Sequence, residues 1–279
     1  MRTNHQIQPL SALVTCGLGI LGAVTLLLGT AGSLPCRAAE GKALRVGITP
    51  DYPPLVFRQA DRPSGVEVDL AKALGAELKR PVEFVVLNWD QLIPELLDNQ
   101  IDIIMSGMSI TKARQLRIAF TDPYLHNELR AIFRQKDAER FKTPADILNF
   151  TGKIGVIAGT TADVFVTKNC PNAQRELIAS RSNVGPLLIR GGRMDLFIDD
   201  TFALAQMISE NEAELAYLKE PLSEDDLAWG MRQSDRELLA AANLALARWK
   251  LDGTLEKTLD HWIPYLKKLQ SKQPRKPSP

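Results

Sequence analysis

Gly65-Val-Glu-Val-Asp-Leu-Ala-Lys-Ala-Leu74, Val82-Glu-Phe-Val-Val-Leu87, Trp89-Asp-Gln-Leu-Ile-Pro-Glu-Leu-Leu97, Ile101-Asp-Ile-Ile-Met105 and Ser106-Gly-Met-Ser-Ile-Thr-Lys-Ala-Arg114 follow one another with only short breaks. Apolar residues at helical spacing over 68–78 give way to a β-rich run, a second helical stretch and a short buried strand. This alternation predicts a mostly parallel sheet with helices on both faces. Such sheets bind ligands beyond the carboxyl ends of their strands. The polar turn Ser106–Ser109 stands at that end, with Thr111 as predicted N-cap and Arg114 in the first helical turn. N–H groups around Gly107, the hydroxyls of Ser106 and Ser109 and a guanidinium converge there, a setting for a carboxylate.

Leu44–Ile48 alternates like a strand before this stretch, which places a first lobe over residues 40–125. A second alternation predicts a second lobe over 126–226. It comprises strands at Leu129–Phe133 and Ile154–Ile157, a helix over 162–169, a helix near 184–191 and a strand at Asp195–Ile198. Residues 227–268 are expected to return to the first lobe. They hold the strand-like Leu227–Arg232 and an amphipathic helix over 234–249, with Ser234 and Glu237 as a capping box. The Pro-rich end, 269–279, reads as a disordered tail.

The Gly65–Leu74 segment resembles the signature of the bacterial extracellular solute-binding proteins that serve polar amino-acid uptake. The resemblance extends in order through Trp89-Asp-Gln-Leu-Ile-Pro94, Ser106–Arg114, Phe120-Thr-Asp-Pro-Tyr124, Ala158-Gly-Thr-Thr161 and Asp195-Leu-Phe-Ile-Asp-Asp200, about Leu44 to Ile263. It implies a two-lobed periplasmic-binding-protein fold of type II, with two chain crossings that make a hinge. It also implies capture of an amino acid or similar small zwitterion for an inner-membrane ABC importer. Three positions depart from the pattern: Val66 replaces a larger side chain, Pro54-Leu55 replaces Pro-Phe, and Thr49 stands where relatives taking basic amino acids often carry Asp.

The candidate ligand-binding residues are Tyr52, Trp89, Ser106, Gly107, Ser109, Arg114, Thr161 and Asp200. Arg114 is assigned the ligand carboxylate, since a guanidinium fork matches it bidentately. Ser109 and Thr161 add contacts to that carboxylate. Asp200 ends a buried run, and the resemblance gives it the ligand's ammonium group, with Asp199 as the alternative. Tyr52, in a Pro-stiffened loop, and Trp89 are read as facing aromatic walls. Glu67 and Asp69 are read as solvent-facing or local structural residues.

Catalysis finds little support. His126 and His261 have no Ser or Cys placed in a hydrolase motif, and neither HExxH, CxxC, a Walker loop nor a dinucleotide fingerprint occurs, so no metal or cofactor is expected. Cyclohexadienyl dehydratase also resembles the chain, including its C-terminal His261-Trp262. It carries a Glu shortly after the position of Asp200, where this chain reads Thr201-Phe-Ala-Leu. A ligand-sensing subunit for a chemoreceptor or sensor kinase is the other alternative. The expected partners are a small-molecule ligand and the permease; nucleic acid is not among them, and the protein is expected to be a monomer.

Arg2 followed by an apolar stretch over 12–32 and by Ala38-Ala39 outlines a secretory signal peptide, 1–38, with an uncleaved membrane anchor as the alternative. Its loss removes Arg2 and Arg37, leaving 32 basic against 33 acidic residues. Of the three cysteines, Cys16 and Cys36 precede the cleavage point and Cys170 stays alone, although cleavage before Cys36 would permit a Cys36–Cys170 bridge. Exported protein is expected in the periplasm without residues 1–38. Intact mass reads this directly, and full-length chain in the membrane fraction would count against it.

Overall fold

The computed structural model describes residues 41–189 and 193–266. The expected signal peptide, 1–38, and the expected disordered tail, 269–279, lie outside the described residues.

The first lobe opens with β1 (Leu44–Ile48), whose Leu44, Val46 and Ile48 are buried because neighbours cover both sides of the strand. A small antiparallel sheet follows, made of β2 (Asp51–Tyr52), β3 (Val56–Gln59) and β4 (Arg62–Ser64). Helix α1 (Val66–Glu77) starts at Gly65, where φ is +117° and an added Cβ would lie 2.4 Å from the Leu55 carbonyl oxygen. Glycine is therefore required at the head of the signature. Next come β5 (Val82–Val86), a single 3₁₀ turn at Trp89–Gln91, α2 (Leu92–Leu97), β6 (Ile103–Ile104), α3 (Lys112–Gln115) and β7 (Ala119–Phe120).

The chain then crosses into β8 (Leu125–Arg134), the long strand that carries the second sheet. Helix α4 (Pro144–Leu148), β9 (Lys153–Ile157), α5 (Thr161–Asn169), β10 (Gln174–Ile178), α6 (Val184–Ile189), β11 (Leu196–Asp200), α7 (Thr201–Glu210), β12 (Leu215–Tyr217) and β13 (Ser223–Leu227) complete that lobe. The return brings β14 (Gly230–Met231), α8 (Arg236–Asp252) and α9 (Thr254–Trp262).

Among the described residues the first sheet runs β5-β1-β6-β14-β7 and the second β10-β9-β11-β8-β12, with β13 also on β8. Each has a parallel core of three strands, β5-β1-β6 and β10-β9-β11. Antiparallel pairings add β14 to the first and β8 to the second. The mixed character follows from the two crossings, which feed strands into each sheet from the other lobe. Tyr124 N–H donates to the Leu227 carbonyl at 3.0 Å and Thr121 N–H to that of Trp229 at 3.0 Å, so the crossing segments run bonded side by side. Paired crossings leave a hinge about which each sheet keeps its own ladder.

Two local expectations fail. Leu227–Arg232 is not one strand: Leu227 ends β13 opposite Leu125, and Gly230 joins the other sheet opposite Ile104. Nor do Ser234 and Glu237 form a capping box. Asp235 is the N-cap and makes no side-chain cap bond, because its carboxylate is drawn to Arg232 at 2.5 Å.

Candidate functional site

The turn after β6 is built from the inside. Gly107, at φ +65°, packs so close to Tyr52 that an added Cβ would stand 2.8 Å from the ring. Its N–H donates at 2.7 Å to Oε1 of Glu67, turned into the core and away from any ligand. The expectation that this N–H completes the carboxylate site is thus corrected. Of the two readings of Glu67, the solvent-facing one is corrected and the structural one stands: the side chain is fully buried, and besides Gly107 it accepts from Tyr124 Oη (2.8 Å) and Trp229 Nε1 (2.9 Å). Burial pushes its carboxyl up to about 7, although all three donors favour the ionised form. Asp69 is half-exposed and receives Trp262 Nε1 at 2.8 Å.

Arg114 projects from α3, where Thr111 caps as expected by accepting its N–H at 3.2 Å. With four residues α3 adds little dipole, so the guanidinium carries the positive charge of this end. It donates to the Ser109 carbonyl at 2.9 Å and, across the cleft, to the Gly159 carbonyl at 3.3 Å. Trp89 lies 5.3 Å beneath it, and its own Nε1 reaches Gly159 at 3.1 Å. Burial pulls the guanidinium below its ordinary range, and the carboxylates of Asp200 and Asp225 oppose that.

Asp200 ends β11, buried, and makes no side-chain cap to α7. It instead accepts from Tyr52 Oη at 2.6 Å and Asn127 Nδ2 at 2.7 Å. Asn127 also holds Asp225, at 2.9 Å. Burial, then the nearby Asp199 and Asp225, raise the Asp200 carboxyl to about 7. Thr161 opens α5, but the capping is done by Thr160, so the Thr161 hydroxyl is free to bond Asp225, as does that of Ser109.

Seven of the eight sequence candidates, namely Tyr52, Trp89, Gly107, Ser109, Arg114, Thr161 and Asp200, line one enclosed pocket together with Thr160 and Arg181. Ser106 lines the adjoining open cleft of about 640 Å³, and its Oγ accepts the Thr49 N–H at 2.9 Å. The enclosed space is only about 10 Å³, about what one water occupies, so the lobes are closed on the site. Sequence reasoning missed Asp225, Arg181 and Asn127. Ser-Glu-Asp-Asp reads as a solvated acidic run, and the other two gain meaning only from partners far along the chain.

A small polar pocket lined by charged side chains from two hinged lobes is the arrangement of a binding protein for a small polar solute. Residues 44–265 match the bacterial extracellular solute-binding proteins, family 3, and the chain belongs to that family. It is similar to ABC transporter arginine-binding protein 1 of Escherichia coli K12, 29% identical over 86% of this chain and 98% of that one. The histidine-binding periplasmic protein of Salmonella typhimurium is 29% identical over 84% and 92%. Among solved structures, an ancestral arginine-binding protein bound to glutamine superposes with a TM-score of 0.72 at 30% identity, covering 81% of this chain and 99% of the other. These relatives are named as binding proteins, and the chain is a solute-binding protein rather than an enzyme.

The Glu67 hub generates a test. In Glu67→Gln an amide N–H must face Trp229 Nε1–H or the Gly107 N–H, at a cost of about 1–3 kcal/mol. The expected fall in melting temperature at pH 7 is roughly 3–10 °C. The folded carboxyl titrates near 7 against an ordinary 4.5, so its stability contribution is full below 4.5 and fades as pH rises to about 7. Melting curves from pH 4 to 8 should show that slope in wild type and a flatter one in the variant.

Proposed function

We propose that the lobes open and close again around one free amino acid, held as its zwitterion between them, and that the protein presents it, in the periplasm, to the membrane subunits of an ABC importer. Arg114 receives the α-carboxylate, joined by the hydroxyls of Ser109 and Thr161, which turn to it from Asp225; Asp200 receives the α-ammonium. The Trp89 ring lies 5.3 Å from the Arg114 guanidinium, and the Tyr52 hydroxyl holds Asp200 in place. Ser106 and the open cleft receive the side chain. The observation that carries this reading is the placement of Arg114 on one lobe and Asp200 on the other around a single pocket, because a zwitterion gains contacts at both ends only when the lobes close. The relatives' printed ligands, arginine, histidine and glutamine, share this α-amino-acid head and differ beyond it. The periplasmic relative and the signal-like start support the compartment.

Arg114→Ala should fold and lose about thirtyfold to several thousandfold in affinity by calorimetry, equivalent to roughly 2–5 kcal/mol. Arg114→Lys should recover only part, since an ammonium lacks the planar fork. Binding by Arg114→Ala as tight as wild type would move the carboxylate site elsewhere.

The ligand's ammonium drives Asp200 to ionise. Below pH 7 the unliganded carboxyl is largely protonated, so binding must expel its proton. Affinity should therefore weaken as pH falls from 7 to 5 and level off above 8. Calorimetry in buffers of different ionisation enthalpy should register proton release at pH 6 and little at pH 8. A flat profile from 5 to 8 would remove Asp200 from the ammonium site.

A further inference from the structure

The Arg181 guanidinium lies 4.4 Å over the Tyr52 ring, against which Gly107 packs from the first lobe. Asp199 grips it from behind, taking Nε at 2.6 Å and Nη2 at 3.0 Å, and both partners are almost wholly buried. Burial works against the charge, yet Asp199 holds the Arg181 pKa above the ordinary arginine range. Its remaining nitrogen, Nη1, has one long bond, 3.4 Å to the Asp51 carbonyl. The residue lines both the small pocket and the open cleft, so its side chain borders the passage from one to the other.

A second cation entering there would meet this guanidinium at short range. The neighbouring carboxylates are already engaged: Asp199 by Arg181, Asp51 by Ser180 Oγ and the Arg181 N–H at 2.9 Å each, and Asp200 by the groups that hold it for the ligand's ammonium. Farther out, at the exposed mouth, Arg58 and Asp90 supply one charge of each sign. An oxygen acceptor, by contrast, finds N–H groups of a fixed, fully charged donor, the kind that binds carbonyl and carboxylate best.

We infer that Arg181, pinned by Asp199 over Tyr52, selects ligands whose side chain ends in an amide or carboxylate oxygen and rejects cationic side chains. This rests on the reading that the pocket holds an amino acid, and it names the class.

The test is calorimetric titration of the mature protein with glutamine, glutamate, arginine and lysine. Glutamine or glutamate should bind at least tenfold tighter than arginine and lysine. The double variant Arg181→Met/Asp199→Asn removes the pair without stranding a buried carboxylate, and it should shrink that ratio below threefold while keeping the dependence on Arg114. Arginine or lysine binding wild type as tightly as glutamine and glutamate would overturn the inference and leave the amino-acid reading standing. An unchanged ratio in the folded double variant would overturn the role of Arg181. Should the variant fail to fold, the wild-type ratio decides. Absence of binding by any free amino acid would sink both readings together.

Discussion

The buried carboxylate of Glu67 is the constraint on which the site depends. Its three donors come from three separate parts of the chain: Gly107 in the binding turn, Tyr124 at the first crossing and Trp229 just after the second. A hydrophobic contact at this spot would supply energy without direction, whereas an acceptor with two oxygens fixes where each donor must point. The turn is thereby oriented with the Gly107 N–H inward and its α-carbon against Tyr52. Tyr52 in turn delivers its hydroxyl to Asp200. One carboxylate in the first lobe is thereby linked, through the turn and Tyr52, to Asp200 in the second.

Burying charge is costly unless each charge is paired, and the site follows that rule with one deliberate shortfall. Asp199 and Arg181 satisfy each other. Asp200 and Asp225 share a single amide, that of Asn127, and each feels the other's charge, which keeps the protonated form of Asp200 close in energy near neutral pH. Asn127 Oδ1 meanwhile has no partner, among the described residues, to balance the double donation from its nitrogen. In the proposed binding mode a ligand ammonium would supply positive charge to this cluster, and a ligand carboxylate would supply negative charge to Arg114, whose acceptors are neutral carbonyls.

Most of the fold could be read from apolar periodicity, since β1, α1, β5, α2, β9, α5 and β11 all fall where alternating patterns place them. Periodicity also places the two charged candidates: Asp200 closes the buried strand β11, and Arg114 lies in the short helix after the polar turn that follows β6. What could not be read depends on tertiary partners. Glu67 sits at the first turn of an amphipathic helix, where acidic residues ordinarily face water, and only the arrival of Tyr124 and Trp229 makes burial tolerable. Arg181 lies in a polar loop, Ala-Ser-Arg-Ser-Asn, with nothing local to distinguish it from a solvated arginine. Ser234 would cap α8 on sequence grounds, but Arg232 draws Asp235 into position and the helix begins one residue later than that cap requires.

The closed arrangement also bears on what binding can gain. Arg114 bonds Gly159 across the cleft, Trp89 bonds the same carbonyl, Tyr52 bonds Asp200, and Asp51 bonds Ser180 and Arg181. All join one lobe to the other without a ligand. An entering amino acid finds too little room in the enclosed pocket and must displace some of these contacts while the lobes part and close again. Most of these bonds carry charge on one side only, and exchanging one such bond for another yields little. In the proposed mode the net gain comes from bonds that become charge-assisted on both sides, guanidinium to carboxylate and carboxylate to ammonium, because those are the stronger kind. Selection for a free zwitterion over a blocked or neutral analogue then follows from the site's own interlobe bonding: a ligand lacking either charge would replace contacts that the protein already makes for itself.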